Sequence, residues 1–259
     1  MNGEPAIRFE RVGKRLGGRA VLDGVSFEVR RGEIFVIVGA SGSGKSVTLK
    51  HMVRLLTPDE GRVWVGCDCI SEARGGELAR LRDRFGVLFQ GAALLQWLTV
   101  YDNVALPLRE KTTLSETEIE ARVMAQLEAL GVADAADRHP ADLSGGMQKR
   151  VGLARAVILG PEIVLYDEPT SGLDPVTSRR IDDMILEMRE RHGLTSVVVT
   201  HDLHSALAIG DRIALIDRGR LIEVRTPADF LRSDNEVVRA FLSAQYITRR
   251  GAWETEMGR

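Results

Sequence analysis

The segment GASGSGKS, Gly39 to Ser46, sets two glycines, a lysine and a hydroxyl at the spacing G-x-x-x-x-G-K-[ST]. Glycines let successive backbone N–H groups turn toward one anion, the ammonium of Lys45 can reach the outer phosphates of a nucleotide, and the Ser46 hydroxyl is a hard oxygen ligand for Mg²⁺. Such a pattern needs a strand before it and a helix after it. EIFVIVG is a nearly continuous apolar run, as in a strand buried on both faces of a parallel sheet. Leu49, Val53 and Leu56 then recur at i, i+4 and i+7, the period of a helix. A bare Gly-rich turn with a surface lysine would require neither flank, so the segment reads as a phosphate loop.

Two further segments bear on the same chemistry. EIVLYDEP ends an apolar strand on Asp167 and Glu168; one carboxylate there can enter a Mg²⁺ shell and the next can polarise an attacking water. Taken alone, the pair could equally be polar residues closing a strand before Pro169. LSGGMQKR, Leu143 to Arg150, places a serine and two glycines at a helix start, where free N–H groups and the helix dipole attract an anion. An ordinary helix cap by Ser144 is the plainer reading of that serine.

The elements that must carry these residues alternate. AIRFERV and VSFEV read as strands at period two around the Gly-rich RLGGRA, and FGVLFQ as a further short strand. From Gly91 to about Ala141 the strand signal vanishes. Ser115 with Glu118 forms a capping box there, before Ile119, Val123, Leu127 and Leu130, with Gly131 where a C-terminal cap belongs. EIVLYD and TSVVVTH return as strands, each followed by helical periodicity (Ile181, Ile185 and Met188 in the first case), and IALIDRGRLIEV closes as a hairpin around Asp217 to Gly219. This order predicts an α/β fold with a mostly parallel sheet, an antiparallel β part and an inserted helical part.

Composition narrows the function classes. With 259 residues, 44% of them hydrophobic, the chain can bury a sizeable core, and a net charge of -2 offers no global field for nucleic acid or an anionic membrane surface. Cys67 and Cys69 lie at period two in RVWVGCDC, which would aim both at one face, but two thiols without further ligands make a poor zinc site. With no signal-like N-terminus, a reducing cytosolic compartment is expected. His204, His51, His139 and His192 have no accompanying carboxylate or cysteine cluster and are expected to pack or to face solvent.

From about Phe9 to about Phe230 the chain resembles the ATP-binding subunits of ABC transporters, whose motifs it carries in order. The resemblance makes GASGSGKS a Walker A motif, with Gly39, Ser41, Gly42, Ser43, Gly44, Lys45, Ser46 and Val47 around the phosphates of ATP. It makes IVLYDE a Walker B motif with Glu168 as catalytic base, and it assigns Mg²⁺ to Ser46, Gln90 and Asp167. Gln90 matches the Q-loop glutamine, Asp174 the D-loop, and His201 the switch histidine that reads the γ-phosphate. In that family two copies pack head to tail, so Ser144, Gly145 and Gly146 would meet the ATP held by the partner's phosphate loop. The fold implied is a P-loop NTPase (RecA-like) core over residues 1–90 and 156–242, a helical subdomain over 91–155 and a tail over 243–259. One departure is Leu16, which stands where the family usually stacks an aromatic ring on adenine; leucine covers a base without a π-system.

FQGAALL, TVYDNVALPLRE, LSGGM and LYDEPTSGLDP look most like the ATPase of Mla-type phospholipid transporters. That likeness implies integral membrane permease subunits docking on the helical subdomain and the Q-loop region, lipid-binding accessory proteins and no nucleic acid. It also implies a peripheral place on the cytoplasmic face of the inner membrane. An amino-acid or other small-solute importer shares every nucleotide motif. A soluble ATPase acting on DNA or the ribosome usually carries fused cassettes or a long coiled-coil insertion, and a small-molecule kinase would need neither LSGGM nor the Asp167-Glu168 pair.

Overall fold

The computed structural model describes residues 4–245, and the chain divides into two compact units, residues 1–74 with 197–259, and residues 75–196.

In the first unit, strand β1 (Ile7–Leu16) folds back on β2 (Arg19–Val29). Gly17 and Gly18 form the connection, both with positive φ (54 and 79), the two-residue turn whose twist matches paired strands. β4 (Glu60–Val65) pairs with the other edge of β1 and β5 (Asp68–Cys69) with β4, giving an antiparallel sheet in the order β2-β1-β4-β5. Phe9 and Phe27 stack at 4.6 Å across β1 and β2, and Phe27 stacks in turn on Phe35 at 5.3 Å. Phe35 belongs to β3 (Ile34–Val38), buried at all five positions as the apolar run predicts. β3 is flanked by β8 (Thr195–Thr200) and by the parallel β9 (Arg212–Asp217), which turns into the antiparallel β10 (Arg220–Arg225). Burying one such Val, Ile or Phe contributes about 1.5 to 3 kcal/mol, so β3 is a firm anchor for the phosphate loop that follows it.

Two local expectations fail here. Helix α1 (Lys45–Met52) stops before Val53 and Leu56, because Arg54 turns left-handed (φ 53) and the N–H groups of Leu55 and Leu56 both return to the Lys50 carbonyl, at 2.8 and 3.3 Å. Cys67 does not share a strand face with Cys69: it sits in the turn between β4 and β5, exposed, while the Cys69 thiol lies 3.3 Å from the Ser71 hydroxyl. Helices α7 (Leu203–Ile209), α8 (Pro227–Leu231) and α9 (Glu236–Ala244) complete the unit. The tail expected from about Ser243 lies, beyond Gln245, outside the described residues.

In the second unit, α2 (Gly75–Arg82) precedes β6 (Phe85–Leu88), which runs parallel to β7 (Ile163–Asp167). Between these strands come only helices, chiefly α3 (Val100–Lys111), α4 (Glu116–Ala129) and α5 (Gly145–Val157). The capping box forms as its sequence predicts: the Ser115 amide donates to the Glu118 carboxylate at 2.8 Å, and the Glu118 amide to the Ser115 hydroxyl at 3.4 Å. α4 buries Ile119, Val123 and Leu127 and ends at Leu130, with Gly131 next at φ 63. α6 (Pro175–His192) buries Ile181, Ile185 and Met188.

Candidate functional site

The phosphate loop is shaped by what lies beneath it. Gly44, the N-cap of α1, has φ 110, and a Cβ there would sit 2.8 Å from the Val21 carbonyl oxygen and 2.9 Å from Leu22 Cδ2, so only glycine lets the loop press on β2. Lys45 is buried, and its ammonium donates to the loop's own carbonyls, Gly39 at 2.8 Å and Ala40 at 3.2 Å. Ser43 Oγ is buried with no hydrogen-bond partner. An orphaned hydroxyl costs about 1 to 3 kcal/mol, which a phosphate oxygen would relieve. Ser41 and Gly42 are exposed at the crest of the loop, and Ser46 and Val47 are half-buried on the first turn of α1. A lysine, an unpartnered hydroxyl and a helix N-terminus in one loop fit a polyphosphate.

The same unit holds Leu16 and His201. Leu16 ends β1 and is 41% exposed, an apolar side chain left in water. His201 is exposed directly after β8; the next residue, Asp202, caps α7 by accepting from the amides of His204 at 2.9 Å and Ser205 at 3.3 Å.

The second unit holds the carboxylates. Asp167 ends β7 and Glu168 follows it, and they are 7% and 8% exposed. Glu168 has φ 50, a left-handed backbone in a residue that is not glycine. Its carbonyl accepts from the Ser171 amide at 3.2 Å and from the Lys149 ammonium at 3.0 Å. Asp174 caps α6, accepting from the amides of Val176 and Thr177, both at 3.0 Å, and the Thr177 hydroxyl and amide hold its carboxyl below the usual range.

Ser144 is the N-cap of α5, its hydroxyl accepting from the Met147 amide at 3.3 Å, so the plain capping role is real. It leaves room for the other role, because Ser144 and Gly145 are exposed at the positive end of the helix. Gly146 is buried, and a Cβ there would lie 2.5 Å from Thr177 Cγ2, which fixes how closely α5 and α6 pack. Gln90 follows β6 with its side chain exposed, and its main-chain carbonyl accepts a hydrogen bond from the Lys149 ammonium.

The first unit therefore contains residues 39–47, Leu16 and His201, and the second contains Gln90, Ser144, Gly145, Gly146, Asp167, Glu168 and Asp174. Three supporting residues escape the motif reading: Lys149, Asn103 and Arg155. Lys149 and Asn103 each leave a trace in the sequence. Lys149 stands three residues from both Gly146 and Gly152 on the glycine-bearing face of α5, and Asn103 interrupts the apolar face of α3 beside Val100 and Val104. The histidines behave as expected: His51 is buried, its Nδ1 2.7 Å from the Val47 carbonyl, and His139, His192 and His204 face solvent. Among the described residues no group of three or more His, Cys, Asp or Glu could hold a metal ion, so a metal here would need other oxygen donors as well.

Comparison with known proteins agrees with this geometry. A family model described as ABC transporter matches residues 22–171. The chain is 38% identical over 242 residues to "Probable ribonucleotide transport ATP-binding protein mkl" of Mycobacterium leprae (strain TN), spanning 93% of this chain and 70% of that one. It is 41% identical over 223 residues to "Methionine import ATP-binding protein MetN" of Carboxydothermus hydrogenoformans, spanning 86% and 66%. The dimeric post-hydrolysis state of the ATP-binding cassette MJ0796 bound to ADP and Pi superposes with a TM-score of 0.79 at 33% identity, over 85% of this chain and 98% of that one. The cbiO1 protein of Clostridium perfringens, described as part of the ABC transporter complex cbiONQ, gives 0.82 at 27% identity, over 99% and 100%.

Neither sequence relative is described as a lipid transporter, so the expected Mla type gives way to the broader family. The α/β P-loop NTPase fold with its antiparallel β part is the one these structures share. The chain belongs to the ABC transporter family, as the ATPase subunit whose hydrolysis of ATP is coupled to transport.

Proposed function

We propose that this ATPase powers import of a small solute through separate membrane permease subunits, working as a head-to-tail pair of identical chains. Relatives described as methionine and ribonucleotide transport ATPases support the solute class. No helix among the described residues is long and apolar enough to cross a membrane, so in this reading the permease supplies the membrane path and holds the chain at the cytoplasmic face. The observation that carries the pairing is the exposed start of α5 at Ser144 and Gly145, an anion site separate in sequence from the phosphate loop.

In this reading residues 39–47 hold the phosphates, with Lys45 as counter-charge, and Leu16 covers the adenine. Ser46, Asp167 and Gln90 would hold Mg²⁺, which would supply charge neutralisation to the phosphates of ATP. Glu168 takes a proton from water as the water oxygen bonds to the γ-phosphorus and the bridging oxygen leaves with ADP. His201 steadies the γ-phosphate, and Asp174 lies beside the subunit boundary. The helical subdomain, residues 91–155, receives the permease; Trp97, 73% exposed, is the natural contact within it.

A phospholipid substrate, with lipid-binding accessory proteins, is the second reading, and FQGAALL with TVYDNVALPLRE favours it. Reconstitution with the co-purifying permease separates the two. Solute-stimulated ATPase activity supports import of a solute, and stimulation by phospholipid with lipid transfer between membranes supports the second. For the pairing, cysteines beside Gly42 and Gly145 in a Glu168→Gln background should crosslink between chains when ATP is added. A link within one chain, or none, contradicts the head-to-tail dimer.

A further inference from the structure

Lys149 is a buried cation that motif reading leaves without a task. It is 5% exposed on α5, three residues after Gly146. Its ammonium donates to two main-chain carbonyls from distant parts of the sequence, Gln90 and Glu168, the latter at 3.0 Å. Burial pushes its pKa down from the usual lysine value, opposed by the nearby carboxylates of Asp167 and Glu168. A desolvated ammonium is an expensive way to fill space, and a methionine of similar length would pack there without that cost.

What it holds is unusual backbone. Glu168 is left-handed at φ 50, and just beyond Gln90 so are Ala92 and Ala93, at φ 57 and 48. Arg155, two turns further along α5, donates to the carbonyls of those alanines at 2.9 and 2.8 Å. Between the two cations lies Gly152, where a Cβ would meet Leu88 Cδ1 at 2.8 Å and Ala92 Cβ at 3.1 Å, so the helix lies flat on this segment. α5 therefore grips residues 90–93 at two points and Glu168 at a third, and its own N-terminus is Ser144 to Gly146.

We propose that Lys149 is a positioning residue that makes the start of α5, Gln90 and Glu168 move as one body. An anion meeting Ser144 and Gly145 then sets where this chain's own glutamine and carboxylate base stand. The idea rests on the roles proposed above for Glu168 and for the α5 N-terminus. It adds a route by which one composite site of a dimer informs the other: the helix that completes the partner's site is tied to the hydrolytic residues of its own.

Steady-state ATPase and equilibrium ATP-binding measurements on the full-length protein test it, with Lys149→Met, Lys149→Arg and Glu168→Gln made side by side. Lys149→Met should lower kcat about tenfold or more while KM and the Kd for ATP stay within about twofold, because the phosphate loop is untouched. Lys149→Arg, which can still donate to both carbonyls, should recover a large part of kcat. Should Lys149→Met fail to fold, Lys149→Gln, with a single amide to share, should show the same split between kcat and KM. A kcat within about twofold of wild type, a matching loss in ATP affinity, or an arginine variant as impaired as the methionine one overturns the proposal. Normal turnover by Glu168→Gln instead overturns the assigned base, whatever Lys149 does, so the two failures are distinguishable.

Discussion

Asn103 and Leu95 pair as residues on neighbouring strands would. The Leu95 amide donates to Asn103 Oδ1 at 2.8 Å, and Asn103 Nδ2 donates back to the Leu95 carbonyl at 3.0 Å. The same amide nitrogen reaches the carbonyls of Leu98 at 3.3 Å and Thr99 at 2.9 Å, and Asn103 is fully buried. One side chain thus spans residues 95–99 and fixes the loop that projects Trp97.

Asn103→Ala strands the Leu95 amide and carbonyl without their partner. Urea unfolding should show a loss of about 2 to 3 kcal/mol. A change under about 0.5 kcal/mol would mean that water or the loop itself replaces the bonds.

The contact between Gly146 and Thr177 should appear as a coupling. Gly146→Ala drives a methyl toward Thr177 Cγ2, 2.5 Å from where its Cβ must sit, and should cost about 1 to 3 kcal/mol. Thr177→Ser removes that methyl while keeping the hydroxyl that bonds Asp174 at 2.5 Å. The double variant should regain most of the loss. Additive effects in the thermodynamic cycle would show that the strain lies elsewhere.

Stability should fall on the acid side of neutrality because of His51. Burial, helped by Lys14, lowers its pKa below the ordinary 6.5, although the Val47 carbonyl and Asp59 favour the charged ring. Below pH 6.5 the unfolded chain takes up a proton that the folded chain resists, so the native state loses ground until pH reaches the lowered native value. Unfolding curves recorded downward from pH 7.5 should show this decline in the wild type and a shallower one in His51→Leu. Parallel pH profiles would place the titration at another group.

Leu16→Tyr adds a ring at a half-exposed strand end. If position 16 covers adenine, ATP binding should tighten by about 0.5 to 1.5 kcal/mol in an equilibrium titration. Unchanged or weaker binding would show that another residue covers the base.

Much of the fold was legible because several signals agreed at each element. The run IFVIV predicted a strand buried on both faces and β3 is one; Ser115 with Glu118 predicted a cap and both bonds form. The misses share a cause. Val53 and Leu56 fit a helical period, but Arg54 breaks it by adopting a conformation that residue type does not announce. Lys149 and Asn103 leave a trace but complete no motif, because their partners are main-chain groups, which every residue possesses. A pattern of side chains can reveal what meets a ligand, whereas the support behind it is written in backbone direction.

Glu168 carries a consequence of that kind. At φ 50 its backbone costs roughly 1 kcal/mol or more relative to a residue without a Cβ. Glycine would relieve that strain at the expense of the carboxylate, while its greater freedom in the unfolded chain offsets part of the gain. With Glu168 as the base proposed above, selection by heat resistance alone would not preserve it, and durability and turnover have to be selected together.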